Sequence, residues 1–313
     1  MLNFLISRKR SYCYACDNTV MDDLKANLPE SCVTEEFIFF DFWVFRHALK
    51  HDGTAQYIHK NYENLRWYSK GENRLILTRD DTFRVVCNLR TPTTTSAGKS
   101  TEIVGTGIFM SDKNDMPWII TASHVAKSTT TNSKIAIGDE NCDCHLLLLT
   151  KLNSQLAWIH HQIADISALP IIPSPENMPY LKGRCLPYDH FNLQKTSVSR
   201  DFELTTVGFP KGLGVTGKFS PLTFRSYASS GILTLNRADT NSPSEFFCME
   251  NPSMGGYSGG PVFDLGYMVV GAMTTTKKRT ICYGIIHGTM SDNTGGKIAM
   301  VTPTYYLKDI VTP

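Results

Sequence analysis

The residues with the clearest chemical potential lie in the run Gly255-Gly256-Tyr257-Ser258-Gly259-Gly260-Pro261, which leads into the apolar pair Val262-Phe263. A serine hydroxyl attacks a carbonyl carbon when a base takes its proton and backbone N–H groups meet the oxygen as it becomes negative. Glycines around the serine serve the second need, because without a Cβ the chain adopts conformations closed to other residues and substrate can approach the backbone closely. The amides of Gly256 and Ser258 are the expected donors. A base is offered by Trp118-Ile119-Ile120-Thr121-Ala122-Ser123-His124-Val125-Ala126, an apolar strand running into a histidine flanked by small residues. Imidazole titrates near neutrality, so it can take the hydroxyl proton and return it to a leaving amine. The group to orient that imidazole is Asp165 in Ile163-Ala164-Asp165-Ile166-Ser167-Ala168-Leu169-Pro170. Strands disfavour aspartate, and an acid near a core needs a partner. Asp139 and Asp143 compete for the role, but they sit in the polar turn Gly138-Asp139-Glu140-Asn141-Cys142-Asp143, where solvated charges are the ordinary reading.

The order along the chain is His, Asp, Ser, with 41 residues from His124 to Asp165 and 93 from Asp165 to Ser258. These separations are close to the roughly 45 and 93 of chymotrypsin. With these motifs the chain resembles a trypsin-like serine peptidase of the chymotrypsin fold, in the bacterial branch without a zymogen aspartate. Gly105-Thr106-Gly107-Ile108-Phe109 is similar to the family's strand before the histidine, Val207-Gly208-Phe209-Pro210-Lys211-Gly212 to the opening of its second barrel, and Tyr267-Met268-Val269-Val270-Gly271-Ala272 to the strand after the nucleophile. The resemblance covers about residues 83 to 313 and implies His124 as base, Asp165 as its orienter, Ser258 as nucleophile and the amides of Gly256 and Ser258 as oxyanion hole. It implies a serine endopeptidase working through an acyl-enzyme without metal or cofactor. A catalytically silent peptide-binding module on the same fold is the rival reading.

Two departures from the family are informative. Tyr257 stands where digestive members carry the aspartate that pairs with a newly released N-terminus, so activation by that ion pair is not expected. Pro252 stands six before the serine, where trypsin has its specificity acid, so a preference for Lys or Arg loses its main argument. The strand Met273-Thr274-Thr275-Thr276 is expected to line the pocket and pair with the substrate backbone. The hydroxyls of Ser253, Thr274, Thr275 and Thr276 then suggest a small or uncharged residue before the scissile bond. Gly256-Tyr257-Ser258-Gly259-Gly260 also fits the nucleophile elbow of α/β-hydrolases, but that fold places its acid and histidine after the serine. Only 55 residues follow Ser258, with His287 the one histidine among them.

The elements that must position these groups read as strands from about Thr82 onward: short apolar runs at Phe83–Leu89, Ile103–Met110, Lys134–Ile137, Leu146–Leu149 and Leu204–Val207, separated by polar turns. The expected fold is mainly β, two antiparallel six-stranded β-barrels over about 81–195 and 200–313, with a Pro-rich link over 170–200 and a C-terminal helix over Thr302–Val311. Residues 1–80 are rich in aromatics and charges. They read as a helical extension, with helices over 34–50 and 55–68 that pack on the first barrel or make a partner or autoregulatory contact.

A net charge of +2 gives no field for nucleic acid, and protein or peptide is the expected partner. The longest apolar stretches are too short for a membrane span. The start Met1-Leu2-Asn3-Phe4-Leu5-Ile6-Ser7-Arg8 puts its charges after the apolar part, unlike a secretory signal. Nine cysteines, an odd number, argue for reduced thiols and a cytoplasmic setting. Cys13-x-x-Cys16 with Cys32, and Cys142-Asp143-Cys144-His145, lack the two well-spaced ligand pairs of a structural zinc site, so no metal is expected.

Overall fold

The computed structural model describes residues 76–311 except 182, 252, 271–272 and 277–278, with backbone alone for 268–270 and 273–276. The helices expected over 34–50 and 55–68, the cysteines Cys13, Cys16 and Cys32, Pro252, and the side chains of Thr274, Thr275 and Thr276 lie outside the described residues.

The first sheet holds β1 (Val86–Thr94), β2 (Ser100–Ser111), β3 (Pro117–Thr121), β4 (Lys134–Gly138), β5 (Cys144–Leu148), β6 (Ile159–His160), β7 (Ser167–Pro170) and β8 (Leu186–Pro187). Its antiparallel order is β5-β4-β1-β2-β3-β7-β6, and β8 runs parallel to β2. β2 is exposed where it begins and continuously buried from Gly105 to Met110. It pairs with β1 through residues 100–108 and with β3 through residues 108–111, so its backbone is paired along the whole apolar run. Ile108, Phe109, Ile119, Ile120, Ile135 and Ile137 fill the core between these strands. The second sheet holds β9 (Leu204–Gly208), β10 (Leu222–Ser226), β11 (Leu233–Asn236), β12 (Pro243–Met249), β13 (Pro261–Asp264), β16 (Ile281–Ser291) and β17 (Lys297–Pro303), in the order β10-β9-β13-β16-β17-β12-β11. β14 (Tyr267–Val270) and β15 (Met273–Thr276) form a separate hairpin.

Three expectations are corrected. Among the described residues neither sheet closes into a six-stranded barrel: the strands number eight and seven, and the end strands do not pair with each other. β6, with two residues, offers too little backbone to close the first sheet. In the second, β12 pairs with β17 through Phe247–Met249 and with β11 through Pro243–Phe246, so its two neighbours take different halves of the strand. The C-terminal segment is a six-residue 3-10 turn, Thr304–Asp309, following directly on Pro303 at the end of β17. Segments this short, with Thr and Tyr in place of strong helix formers, tighten to 3-10 geometry. Asp165 lies in a bend before β7 and not in a strand.

Register explains how the first sheet brings distant residues together. β3 and β7 are antiparallel with Thr121 opposite Ser167, so the chain beyond Thr121 and the chain before Ser167 emerge at the same end. The first becomes the short helix α1 (Ser123–Lys127), which carries His124, and the second carries Asp165. In the second sheet, Ser258 precedes β13, between β9 and β16.

Candidate functional site

Asp165 is fully buried, and both of its oxygens are saturated. Oδ1 accepts the His124 backbone N–H at 3.0 Å and Arg237 Nη2 at 3.1 Å. Oδ2 faces His124 Nδ1 at 2.7 Å and His287 Nδ1 at 2.6 Å. A carboxylate has about four acceptor positions, and all four are used. Burial by itself would raise the carboxyl's pKa, but the hydrogen bonds from the two imidazoles outweigh it and hold the group well below the usual carboxylate range. Asp139 is instead engaged by His145 Nε2 at 3.0 Å and Asp143 by Lys218 Nζ at 2.6 Å, both near the surface. Of these three acids, the one in contact with His124 is Asp165.

The bend that carries Asp165 is shaped by its neighbours. His161 Nδ1 accepts the backbone N–H groups of Ile163 and Ala164 at 3.1 and 2.9 Å, while its Nε2 faces Asp309 at 3.0 Å. Arg237 Nη1 donates 2.8 Å to the carbonyl of Ile163. On the histidine side, Ser123 Oγ donates to the carbonyl of Ile166 at 2.9 Å and shares a 2.7 Å hydrogen bond with Ser167, tying α1 to β7.

Around Ser258, the peptide planes are fixed one by one. The carbonyl of Gly255 accepts the Lys211 N–H at 2.7 Å, and the carbonyl of Tyr257 accepts the Gly260 N–H at 2.7 Å. In a trans peptide the N–H points opposite to the C=O, so the Gly256 and Ser258 amides face the other way. Neither donates to another backbone group among the described residues. Thr106 on β2 holds the rest: its Oγ1 donates to the carbonyl of Gly256 at 2.8 Å, and its N–H donates to the carbonyl of Ser258 at 2.8 Å. Gly256 has φ +99°, and a Cβ there would collide with the carbonyl of Phe209.

Ser258 Oγ donates to the backbone carbonyl of His287 at 3.2 Å, and no hydrogen bond joins it to His124 among the described residues. The ring of His287 stands edge-on to that of His124, with centroids 5.7 Å apart. The strand alongside Ser258 is β16, through Gly259 N–H to the carbonyl of Ile286 and Ile286 N–H to the carbonyl of Gly260, both 2.8 Å. Met273–Thr276, expected to line the pocket and pair with the substrate backbone, pairs with β14 in its own hairpin. Ser253 lines a small pocket with Ser226, Asn251, Tyr257 and Ile286, and its carbonyl accepts Thr289 Oγ1 at 2.7 Å. Tyr257 is buried, its hydroxyl donating 2.9 Å to the carbonyl of Leu222, and burial pushes its phenol pKa up.

His124, Asp165 and His287 also form the one metal-ligand type cluster among the described residues. Their nitrogens lie 2.6–2.7 Å from a single oxygen. Ligands sharing a tetrahedral ion at about 2.0–2.1 Å stand roughly 3.3 Å apart, so this is the spacing of imidazole N–H groups on a carboxylate. His145, in the other sequence cluster, is taken by Asp139. The six described cysteines are free, and burial raises the thiols of Cys185 and Cys282 to about 12.

Sequence reasoning missed Arg237, His287 and Thr106 as members of the site. A lone histidine in the apolar run Ile285-Ile286-His287 was a signal that went unread, whereas Arg237 opens a polar turn and looks like any solvated charge.

The chain belongs to the trypsin-like peptidase domain family, whose sequence pattern it matches over residues 105–271, more than half its length. No curated protein sequence matches the chain. Among solved structures it is similar to an inactive form of Rv3671c from M. tuberculosis H37Rv, a serine-to-alanine mutant, at 15% identity over 75% of this chain and 91% of that one, with a TM-score of 0.47. The HtrA-type protease AlgW, a serine-to-alanine form solved with a decapeptide, is 14% identical over 73% of this chain and 64% of its own, with a TM-score of 0.45. Deg5 is 15% identical over 80% and 92%, with a TM-score of 0.43.

Proposed function

We propose that the protein is a serine endopeptidase that cleaves peptide bonds through an acyl-enzyme on Ser258. The observation that carries the reading is the 2.7 Å contact between His124 Nδ1 and the buried, ionised carboxylate of Asp165. That contact fixes the proton on Nδ1 and leaves Nε2 with a lone pair, the tautomer a general base needs. In the proposed reaction Nε2 takes the Ser258 hydroxyl proton as Oγ bonds to the substrate carbonyl carbon. The amides of Gly256 and Ser258 receive the developing oxyanion, and His124⁺ returns its proton to the leaving amine. Water, deprotonated by His124, then releases the acid product and restores the serine. No metal or cofactor takes part.

The substrate is a peptide in extended form. β16 pairs with β13 only through Ile281–Ile285, and among the described residues no strand pairs with it beyond His287 on the side of Ser258, which suits strand addition. The pocket at Ser253 offers hydroxyls and an amide from Ser226 and Asn251 and no charged side chain, which suits a small or uncharged residue before the scissile bond.

The Ser258 hydroxyl, resting on the carbonyl of His287, favours the second reading of a silent peptide-binding module. Rotation about χ1 re-aims it, and such contacts are commonly loose before substrate binds. A fluorophosphonate probe separates the two readings. Labelling that maps to Ser258 and vanishes in Ser258→Ala is the result expected, and an unlabelled folded protein would favour the silent module.

A further inference from the structure

Building on the reading of Ser258 as nucleophile, we propose that His287 and Arg237 are positioning residues that hold Asp165, and through it His124, in the reacting geometry from the opposite sheet. Both are nearly fully buried, with 2% and 4% of their side chains exposed. His124 and Asp165 come from the first sheet, while His287 lies on β16 and Arg237 in the turn after β11. The acid is thus gripped across the line where the two sheets meet.

The ring of His287 has one protonation state in this setting. Its Nε2 accepts the backbone N–H of Ala238 at 3.1 Å, so Nε2 carries no proton and Nδ1 must, which makes the ring a neutral donor to Asp165 Oδ2. Its backbone carbonyl holds the Ser258 hydroxyl at 3.2 Å. One residue therefore touches the acid with its ring and the serine with its main chain, which fixes the distance between the two ends of the site. Arg237 bonds to the carbonyl of Ile163, to Asp165 Oδ1, and through Nε and Nη2 to Asp239 at 2.9 and 2.5 Å. It pins the Asp165 bend, and its positive charge, shared with Asp239, offsets part of the charge that Asp165 presents to His124. The titratable and charged groups facing Asp165 are His124, His287 and Arg237, with Asp239 beyond the guanidinium.

The test compares His287→Ala, His287→Asn and Arg237→Met with the wild type, each shown to be folded by near-UV circular dichroism. Displacing a reacting group by about 1 Å costs on the order of a hundredfold, so His287→Ala is expected to lose about 10- to 100-fold in kcat with KM nearly unchanged. His287→Asn restores a donor near the Nδ1 position and recovers most of the loss. Arg237→Met moves the acid limb of the kcat/KM profile to higher pH, because the full charge of Asp165 then bears on the His124 ring. Proton NMR gives a readout independent of turnover: two downfield imidazole N–H resonances in the wild type, one in His287→Ala. An unlabelled wild type under the fluorophosphonate probe would count against the peptidase reading, with the NMR result still deciding the positioning role. Wild-type kcat in His287→Ala, an unmoved acid limb in Arg237→Met, or a single downfield resonance in the wild type would overturn the proposal.

Discussion

The Thr106 hydroxyl donates 2.8 Å to the carbonyl of Gly256, joining the first sheet to the loop that carries Ser258. The same Oγ1 receives the Phe209 N–H at 3.2 Å, and the Thr106 carbonyl receives Thr121 Oγ1 at 2.6 Å. Thr106 is fully buried, so losing the hydroxyl strands polar groups away from water. Thr106→Val keeps the shape and removes the bond, which costs about 1–3 kcal/mol. In a domain of this size that is a Tm fall of about 2–4 °C per kcal/mol. Thermal unfolding with steady-state kinetics checks this, and the expected pattern is a lowered Tm and a lowered kcat with KM held. An unchanged Tm would show that Gly256 does not depend on this hydroxyl.

Asp165→Asn leaves the packing in place but offers His124 Nδ1 an amide in place of a carboxylate, and turnover should fall by about ten thousandfold, as the loss of the orienting acid does in trypsin. The same carboxyl sets a pH dependence. Its pKa is depressed in the folded chain, so its stabilisation is complete above the unfolded value of about 3.9 and is lost as pH falls through the lower folded value. Denaturant unfolding between pH 6 and 2 should show stability dropping in acid, with a smaller drop in Asp165→Asn. Parallel curves for the two proteins would place the acid sensitivity elsewhere.

The groups that carry local motifs were legible in the chain. His124 follows a strand, Ser258 sits among glycines that the turn requires, and Asp165 stood out as an acid among apolar residues. Its actual setting, a bend braced by His161 and Arg237, was not legible, because those partners lie in segments whose local pattern is an ordinary polar turn. Barrel closure failed for a similar reason: strand runs are read locally, but which ends pair is a long-range property. The C-terminal spacing of Tyr305, Tyr306, Leu307 and Ile310 suits a 3-10 turn as well as an α-helix over so few residues.

Tyr257 occupies the place of an activating acid with a neutral, buried ring that packs on Phe224 at a centroid distance of 5.5 Å. Tyr257→Phe keeps that packing and loses the bond to Leu222, at about 1 kcal/mol, and should stay active. Tyr257→Asp buries a charge without a partner and should fail to fold. Blocking the α-amino group of the chain should leave fluorophosphonate labelling of Ser258 unchanged. Labelling that appears only after cleavage, with a new amino group buried beside Ser258, would refute the view that this site forms without an N-terminal ion pair.

Gly255 and Gly256 are adjacent glycines with opposite requirements, which makes them a paired test of the donor geometry. A Cβ on Gly255 meets nothing within 4 Å, whereas one on Gly256, at φ +99°, runs into the Phe209 carbonyl and lies 2.9 Å from the Lys211 amide. Both obstacles are backbone, so relief requires the loop itself to move, and a left-handed conformation adds about 1–2 kcal/mol for a residue with a side chain. Movement of that loop would turn the Gly256 N–H away from the position proposed for the oxyanion. Removing one such donor costs on the order of a hundred- to a thousandfold in kcat. Gly256→Ala should therefore lose at least that much turnover while Gly255→Ala stays within a few fold of the wild type, measured on one extended peptide substrate. Equal activities in the two variants would mean that the Gly256 amide does not receive the oxyanion.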